Sequence, residues 1–356
     1  MDKCTNRMGL FTLLVISLAF SCSHDKTEIF HKHRDKVVSV KDKIIDIKPK
    51  IIFGNSLLYI IDNILIVNEM EPGKEREIHL FDKNTFSYIA STGYTGRGPG
   101  EIASPGRIGI DRKNKILWVQ DHGNKVMWKF PMDSIINNEK FKPTIKLDLN
   151  YDSFIERFGF LNDSIVIGKA VQIINGRWIM EMAKLNIYNN EIVKYGYEHP
   201  EATERKSNSM FALSLKNNFY VNCYGYCDLI TICDLDGNLK YNIYGPEGLE
   251  NKDFKKSYYF AVDVVDKYIF AAYIGEAGII YENGEPRGES PSKFLIYDMV
   301  GNYIETIETG YKFSSFCVDE ENNRIILYFN NRTEALGYFH FNFDSLKFIN
   351  PKRIIN

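Results

Sequence analysis

Three consecutive segments decide the fold: Arg107-Ile-Gly-Ile-Asp111, Ile116-Leu-Trp-Val119 and Val126-Met-Trp-Lys-Phe130. Each is a short apolar run, and polar turns that contain Asn, Asp or Gly separate one from the next. Short apolar runs bounded by such turns are typical of β-strands joined as antiparallel hairpins. The three segments therefore predict a small unit of successive antiparallel strands.

The same unit recurs along most of the chain. Its second strands begin at Ile64, Ile116, Ile165, Phe219, Ile269 and Ile325, which are 52, 49, 54, 50 and 56 residues apart. Further strands follow each pair, and fourth strands begin near Tyr88, Ile192, Leu239 and Tyr303. Four strands per unit, repeated six times, predict an all-β six-bladed β-propeller with four-stranded antiparallel blades. Helical periodicity is absent, which argues against α/β barrels and helical solenoids.

The N-terminal residues predict export. Lys3 and Arg7 precede an uncharged run over residues 8–20, which has the length of a signal-peptide core and is too short to span a bilayer. The run ends at Leu18-Ala-Phe-Ser-Cys22, which resembles a bacterial lipobox except that Ala19 stands where Leu is usual. We therefore predict acylation of Cys22 and a lipid-anchored position in the cell envelope, on the periplasmic face or the cell surface of the outer membrane. A plain secretory signal that contains Cys22 is the alternative.

The predicted organisation is a lipoprotein signal peptide over 1–21, a tether over 22–35 and the propeller over 36–356. Two short apolar segments, Val37-Val-Ser-Val40 and Ile44-Ile-Asp-Ile47, precede the first full unit. A propeller ring usually closes with one blade that combines strands from both chain ends. We expect one of these segments to supply the outer strand of the last blade, and we expect the tether to be a solvated linker.

The composition and charge of the chain argue against a disordered protein and against a nucleic-acid-binding protein. The chain has 356 residues, 44 Lys+Arg and 46 Asp+Glu, and 44% of its residues are hydrophobic. These values are typical of a globular protein rather than a disordered one. The balanced charge argues against nucleic-acid binding, which usually requires a basic excess.

Four cysteines would remain after loss of the signal peptide and acylation of Cys22: Cys223, Cys227, Cys233 and Cys317. Cys223 and Cys227 would lie roughly 13 Å apart on one strand, beyond the reach of a disulfide. Their spacing also lacks the CxxC pattern of zinc sites. We predict that these cysteines are buried free thiols. A disulfide between Cys233 and either Cys223 or Cys227 is the alternative.

Two stretches resemble known propeller families. Ser104-Pro-Gly-Arg-Ile-Gly-Ile-Asp111, followed by Leu117-Trp-Val-Gln-Asp-His-Gly-Asn-Lys-Val126, resembles an NHL-type repeat. Gly96-Arg-Gly-Pro-Gly-Glu101 resembles the G-x-G-P-G-E signature of the TolB-like six-bladed propeller lipoproteins of Gram-negative anaerobes. Gly245-Pro-Glu-Gly248 is a partial copy at a later junction, and the other junctions lack the motif. The resemblance implies a propeller in the cell envelope and leaves the activity open.

Candidate binding residues come from the loops that share one face of a propeller around its central channel. The residues assigned to that face are Arg97, Glu101, Arg107, His122, Arg205, Glu276 and Arg332. Arg157 lies in an inner strand as Arg107 does, and two arginines near a channel mouth would attract carboxylates or phosphates. The candidate ligand-binding set is therefore Arg97, Glu101, Arg107, His122 and Arg157, with no metal and no cofactor.

Each candidate also has a structural explanation. The glycines of residues 96–101 suit a turn at positive φ. Arg107 and Arg157 could form ion pairs with Glu101 and Glu156. Asp121 and His122 would point to opposite faces of a strand, so a turn explains them better than general-base catalysis.

We predict a binding or interaction module for a glycan, a peptide or an envelope protein, attached to the membrane by its lipid. Loop aromatics Tyr94, Trp178, Tyr224 and Tyr226 could stack on sugars, and the long insertion over residues 275–292 could be a lid, a docking loop or disordered. The alternative is a metal-dependent hydrolase or lyase that uses the channel, although the sequence carries no G-x-S-x-G, H-E-x-x-H or Walker-type motif. A third possibility is a scaffold that docks a membrane complex.

Overall fold

The computed structural model describes residues 27–343 except 50, 52, 72, 151–152, 175–176, 205–207, 251–254, 266, 283 and 330–331. The predicted signal peptide and the predicted acylation site, Cys22, lie outside the described residues. Among the described residues, no helix is long and apolar enough to cross a membrane.

The first half of the chain forms three short strands and then three blades. The short strands are β1 (Glu28–Phe30), β2 (Val37–Ser39) and β3 (Ile45–Ile47), with a 3-10 helix at Lys41–Lys43. Blade 1 consists of β4 (Ser56–Ile61), β5 (Ile64–Glu69), β6 (Arg76–Asp82) and β7 (Tyr88–Tyr94). Blade 2 consists of β8 (Pro105–Asp111), β9 (Ile116–Asp121), β10 (Val126–Pro131), α1 (Met132–Asn137) and β11 (Lys146–Asp148). Blade 3 consists of β12 (Ser153–Phe160), β13 (Ile165–Ile174), β14 (Arg177–Asn186) and β15 (Glu191–Lys194).

The second half forms the other three blades. After α2 (Pro200–Glu204), blade 4 consists of β16 (Ser209–Ser214), β17 (Phe219–Tyr224), β18 (Leu229–Asp234) and β19 (Leu239–Tyr244). Blade 5 consists of β20 (Lys256–Val265), β21 (Tyr268–Ala277), the inserted hairpin β22 (Ile279–Glu282) and β23 (Glu285–Gly288), β24 (Lys293–Asp298) and β25 (Tyr303–Glu308). Blade 6 contains β26 (Phe313–Asp319), β27 (Arg324–Phe329) and β28 (Leu336–His340). The predicted six-bladed β-propeller is confirmed.

The ring closes through the N-terminal segment, as predicted. Strand β3 pairs antiparallel with β28, with Ile47 opposite Leu336, and so provides the fourth strand of blade 6. A buried ion pair joins this blade to the first one, because Lys83 Nζ of blade 1 lies 3.1 Å from Asp319 Oδ1 of blade 6. Arg324 contacts the second oxygen of Asp319 at 2.8 Å. Blade 6 therefore combines an N-terminal strand, β3, with three strands from the C-terminal part of the chain.

Residues 27–47 form an N-terminal belt around the outer edges of three blades. Strand β1 pairs in parallel with β19 of blade 4, and β2 pairs in parallel with β25 of blade 5. Phe30 stacks on Tyr244 with ring centroids 4.7 Å apart, and His31 Nε2 lies 2.8 Å from the Gly301 carbonyl oxygen. The structure therefore corrects the expected solvated linker from residue 28 onward, because these side chains find partners on the blades.

Large apolar side chains fill the spaces between neighbouring blades. Between blades 5 and 6, Phe270, Phe294, Phe313 and Phe339 are fully buried in one cluster. Burying an aromatic side chain of this size stabilises a fold by about 1.5–3 kcal/mol. The radial arrangement thus buries both faces of sheets that could not fold alone.

The four described cysteines are buried and form no disulfide, in agreement with the prediction: Cys223, Cys227, Cys233 and Cys317. Burial raises the pKa of the Cys223 and Cys317 thiols well above the ordinary value. These thiols therefore serve as small apolar side chains of the core.

The long insertion of blade 5 forms the β22–β23 hairpin. Ile279 and Tyr281 are two positions apart on one strand and so lie on the same side of this hairpin. They are 61% and 74% exposed. The insertion therefore projects from the blade as an ordered two-stranded ribbon.

Candidate functional site

The inner strands of the six blades surround a central cavity of about 1140 Å³. Its lining is polar where the inner strands begin, with Asn55, Asn208 and Ser257. Farther along the inner strands the lining becomes more apolar, with Ile110 and Leu213 among its members. We call this cavity the channel and its polar end the mouth.

Two arginines converge on one carboxylate inside the channel. Arg107 Nε of β8 lies 3.2 Å from Glu156 Oε1 of β12, and an Nη of Arg157 lies 3.0 Å from Glu156 Oε2. All three side chains line the channel. The Arg107 side chain is 32% exposed, whereas that of Arg157 is 14% exposed. The cluster therefore offers one accessible guanidinium and one that is nearly enclosed.

The charges of this cluster do not cancel. Burial opposes ionisation of Glu156, but Arg157 and Arg107 outweigh it and hold the pKa of that carboxyl below its ordinary value. Burial and the like charge of Arg107 lower the pKa of Arg157 to about 10. The buried Nε of Arg157 has no hydrogen-bond partner among the described residues. Two cations and one anion leave a net positive charge, which an anionic group in the channel would balance.

The glycine-rich motif has a structural role away from the channel. Glu101 accepts a hydrogen bond from the Gly98 amide at 2.9 Å and pairs with Lys142 of blade 2 at 2.8 Å. Gly100 has φ +71°, and a Cβ there would lie 2.6 Å from the Pro143 carbonyl oxygen. Arg97 is exposed and, like Glu101, is not among the channel-lining residues. The loop therefore packs against Lys142 and Pro143 on the outer side of blade 2. Gly100 lets the chain turn tightly at this contact.

The segment Asp121-His-Gly-Asn124 forms a turn. The carboxylate of Asp121 accepts hydrogen bonds from the backbone amides of Ser104 at 3.0 Å and of Gly123 at 3.1 Å. The ring of His122 packs on Phe154 with centroids 5.6 Å apart, and burial lowers the pKa of this histidine. The turn explains Asp121 fully, and His122 lies beside the mouth without lining the channel.

Of the other predicted positions, some line the channel and others lie outside it. Arg332 lines the channel and pairs with Asp46, whereas Glu276 is exposed outside it. Of the loop aromatics, Tyr226 lines the channel and Tyr224 is buried in a core cluster. The Tyr94 ring makes cation–π contacts with the side chains of Arg76 and Lys142. Arg205 and the side chain of Trp178 lie outside the described residues.

Sequence reasoning missed Asp263, an acidic residue that lines the channel in β20. Burial raises the pKa of Asp263 to about 6. Its only sequence signal is an acidic residue inside the apolar run Phe260-Ala-Val-Asp-Val264. Within the described ranges, no group of three or more His, Cys, Asp or Glu side chains is placed to hold a metal ion.

The fold and the site define a six-bladed β-propeller with an open, charged central channel. A family model described as TolB-like 6-blade propeller-like matches residues 30–321. The chain therefore belongs to the TolB-like six-bladed propeller family. No curated protein matches the chain significantly.

Solved structures share the fold at low sequence identity. A Bacteroides fragilis protein described as exported has 11% identity and a TM-score of 0.53, over 85% of this chain and 87% of its own. A member of the DUF4221 family from Bacteroides vulgatus has 11% identity and a TM-score of 0.55, over 83% of this chain and 96% of its own. These likenesses support the fold.

Proposed function

We propose that this protein is a binding module of the cell envelope whose channel holds an anionic group of a glycan, a peptide or an envelope protein. The observation that carries the proposal is the cluster of Arg107, Glu156 and Arg157. It places two guanidinium groups on one carboxylate in a cavity large enough for a ligand. Guanidinium groups match carboxylate, sulfate and phosphate geometry.

The proposed location rests on Cys22 and the N-terminal belt. Acylated Cys22 would be separated from β1 by residues 23–27 only. A fully extended chain of this length spans about 20 Å. The propeller would then lie close to the membrane with blade 4 as its nearest edge, because β1 pairs with the outer strand of that blade.

The described residues favour binding over the metal-dependent alternative. Arg107, Arg157, Met210 and Tyr259 stand at the inner-strand positions that face the channel. A divalent cation prefers carboxylate and carbonyl oxygens, and the two arginines beside Glu156 would repel it. The scaffold alternative differs from binding in requiring a stable partner protein and no small ligand.

The test is thermal unfolding of the purified protein with single additives: acidic and neutral oligosaccharides, acidic peptides, divalent metals and a chelator. A ligand of the native state at 100 times its dissociation constant adds about 2.7 kcal/mol of stability. We expect acidic oligosaccharides or peptides to raise the midpoint and neutral ones to have little effect. A shift that needs a divalent metal would support the hydrolase or lyase instead. No shift, together with co-purification of one envelope protein, would support the scaffold.

A further inference from the structure

Three polar side chains form a hydrogen-bonded relay on blade 1, away from the channel. His79 of β6 lies between Ser91 of β7 and Glu69 of β5. The Ser91 Oγ to His79 Nδ1 distance is 2.8 Å, and the His79 Nε2 to Glu69 Oε1 distance is 3.1 Å. All three residues are buried. The relay joins a hydroxyl, an imidazole and a carboxylate in the order found in serine hydrolases.

The neighbouring hydrogen bonds determine where the protons are. A carboxylate only accepts, so His79 Nε2 donates its proton to Glu69 and Nδ1 is left as an acceptor. Tyr88 Oη donates to Ser91 Oγ at 3.0 Å, which leaves the Ser91 proton for His79 Nδ1. The second oxygen of Glu69 accepts from the Gly54 amide at 3.0 Å and is held in place. The imidazole is thus oriented to take a proton from Ser91.

A small cavity opens beside this relay. It has a volume of about 260 Å³ and is lined by Ser91, His79, Glu69 and Tyr88 together with Ile51, Lys74, Glu75 and Arg76. An Nη of Arg76 donates to the Ser91 carbonyl oxygen at 3.2 Å, which places its guanidinium beside the Ser91 backbone. The lining holds two cations, Lys74 and Arg76, and two carboxylates, Glu69 and Glu75. The two cations are the groups of this cavity that could stabilise a developing oxyanion.

We propose that Ser91 is the nucleophile of a second site, which hydrolyses short acyl esters. Ser91 Oγ forms a bond to the acyl carbon while its proton passes to His79 Nδ1. The imidazolium returns that proton to the departing alcohol as the ester C–O bond breaks. Water then attacks the acyl-serine, His79 accepts a proton from it, and release of the acid restores the Ser91 hydroxyl.

Other features agree with this assignment. Burial lowers the pKa of His79, which keeps the imidazole neutral and able to accept a proton. In the chymotrypsin triad the histidine Nε2 faces the serine and Nδ1 faces the carboxylate, whereas in His79 Nδ1 faces Ser91 and Nε2 faces Glu69. The order of hydroxyl, imidazole and carboxylate is the same. Short sequence motifs cannot reveal such a site, because its members come from three strands and are joined only by the blade. The site is separate from the channel and does not depend on the binding function proposed above.

The test is labelling of the full-length protein with a fluorophosphonate probe, which forms a covalent bond to a nucleophilic serine and releases fluoride. Digestion and mass spectrometry identify the modified residue in the wild-type protein, so this result does not depend on the folding of a variant. The variants are S91A and H79Q, with S87A as the matched control. Ser87 is exposed and lies in the turn before the same strand.

We expect modification at Ser91 in the wild-type protein and in S87A. At a temperature at which both proteins are folded, H79Q should be labelled at least ten times more slowly than the wild-type protein, and S91A should not be labelled in this peptide. Wild-type protein and S87A should also release nitrophenolate from nitrophenyl acetate faster than S91A does. An unlabelled Ser91 in the folded wild-type protein would overturn the proposal. Equal labelling of Ser91 in folded H79Q would overturn it as well.

Discussion

Arg34 and Asp228 form a buried two-point ion pair across 194 residues of sequence. The two Nη–Oδ distances are 2.9 and 3.1 Å, and the side chains are 8% and 0% exposed. Tyr259, which lines the channel, donates to the same carboxylate at 3.0 Å. The pair therefore fixes the N-terminal belt to the channel wall between blades 4 and 5.

Replacing Arg34 by Met should destabilise the protein strongly. The substitution leaves the Asp228 carboxylate buried without its cation, and removing one partner of such a pair costs about 3–5 kcal/mol. Denaturant unfolding measures the effect as a lower midpoint.

Lys113→Met is the matched control, since Lys113 pairs with Asp163 at 2.7 Å but both side chains are exposed. Exposed ion pairs contribute little to stability, so its midpoint should not change. Equal midpoints for the two variants would contradict the structural role assigned to Arg34.

Replacing Asp263 by Asn should change how stability depends on pH. Burial raises the pKa of this carboxyl to about 6 in the folded protein, against an unfolded value of about 3.9. The folded state then holds the proton more tightly, so wild-type stability falls as pH rises between about 4 and 6. Asn keeps an oxygen to accept the hydrogen bond from the Val264 amide, now 2.9 Å from Oδ1 of Asp263.

Thermal unfolding of both proteins between pH 4 and pH 8 checks this prediction. The variant should gain stability relative to the wild type as pH rises and then keep a constant advantage above pH 6 to 7. A difference that is constant over the whole range would show that Asp263 titrates at its ordinary pKa.

Replacing Gly100 by Ala should destabilise the loop of the glycine-rich motif. A left-handed conformation costs a residue with a side chain about 1–2 kcal/mol, and the new methyl group would also meet the Pro143 carbonyl oxygen. Gly284→Ala is the control, because Gly284 has φ +86° and a Cβ there would meet nothing within 4 Å. The melting temperature of G100A should fall further than that of G284A. Equal losses would mean that the close approach to Pro143 has no energetic effect.

The repeat made the fold predictable from sequence. Apolar strand pairs recurred at Ile64, Ile116 and Ile165 with nearly constant spacing, and such a pattern fits few architectures. The strand β11 was missed because α1 and a loop separate it from β10. The belt strand β1 was missed because Glu28-Ile-Phe30 is too short to show periodicity and forms only by pairing with β19.

The site was predictable only in part, because side-chain partners come from different blades. Arg107 and Arg157 could be placed near the channel, since both lie in inner strands. The relay of Ser91, His79 and Glu69 gave no motif, because cross-strand neighbours are set by register and not by sequence spacing. The motif around Gly100 was a binding candidate because of its glycines, but Gly100 is needed for a tight turn at positive φ.

The most direct test of the channel proposal is calorimetric binding of an acidic oligosaccharide, such as an oligogalacturonate, to wild-type protein, R107Q and R97Q. Arg107 lines the channel, whereas Arg97 is an exposed arginine outside it and serves as the control. A hydrogen bond to a charged group is worth about 1.5–3 kcal/mol, so R107Q should weaken binding about ten-fold or more while R97Q matches the wild type. Undiminished binding by R107Q, or loss of binding in R97Q, would contradict the account.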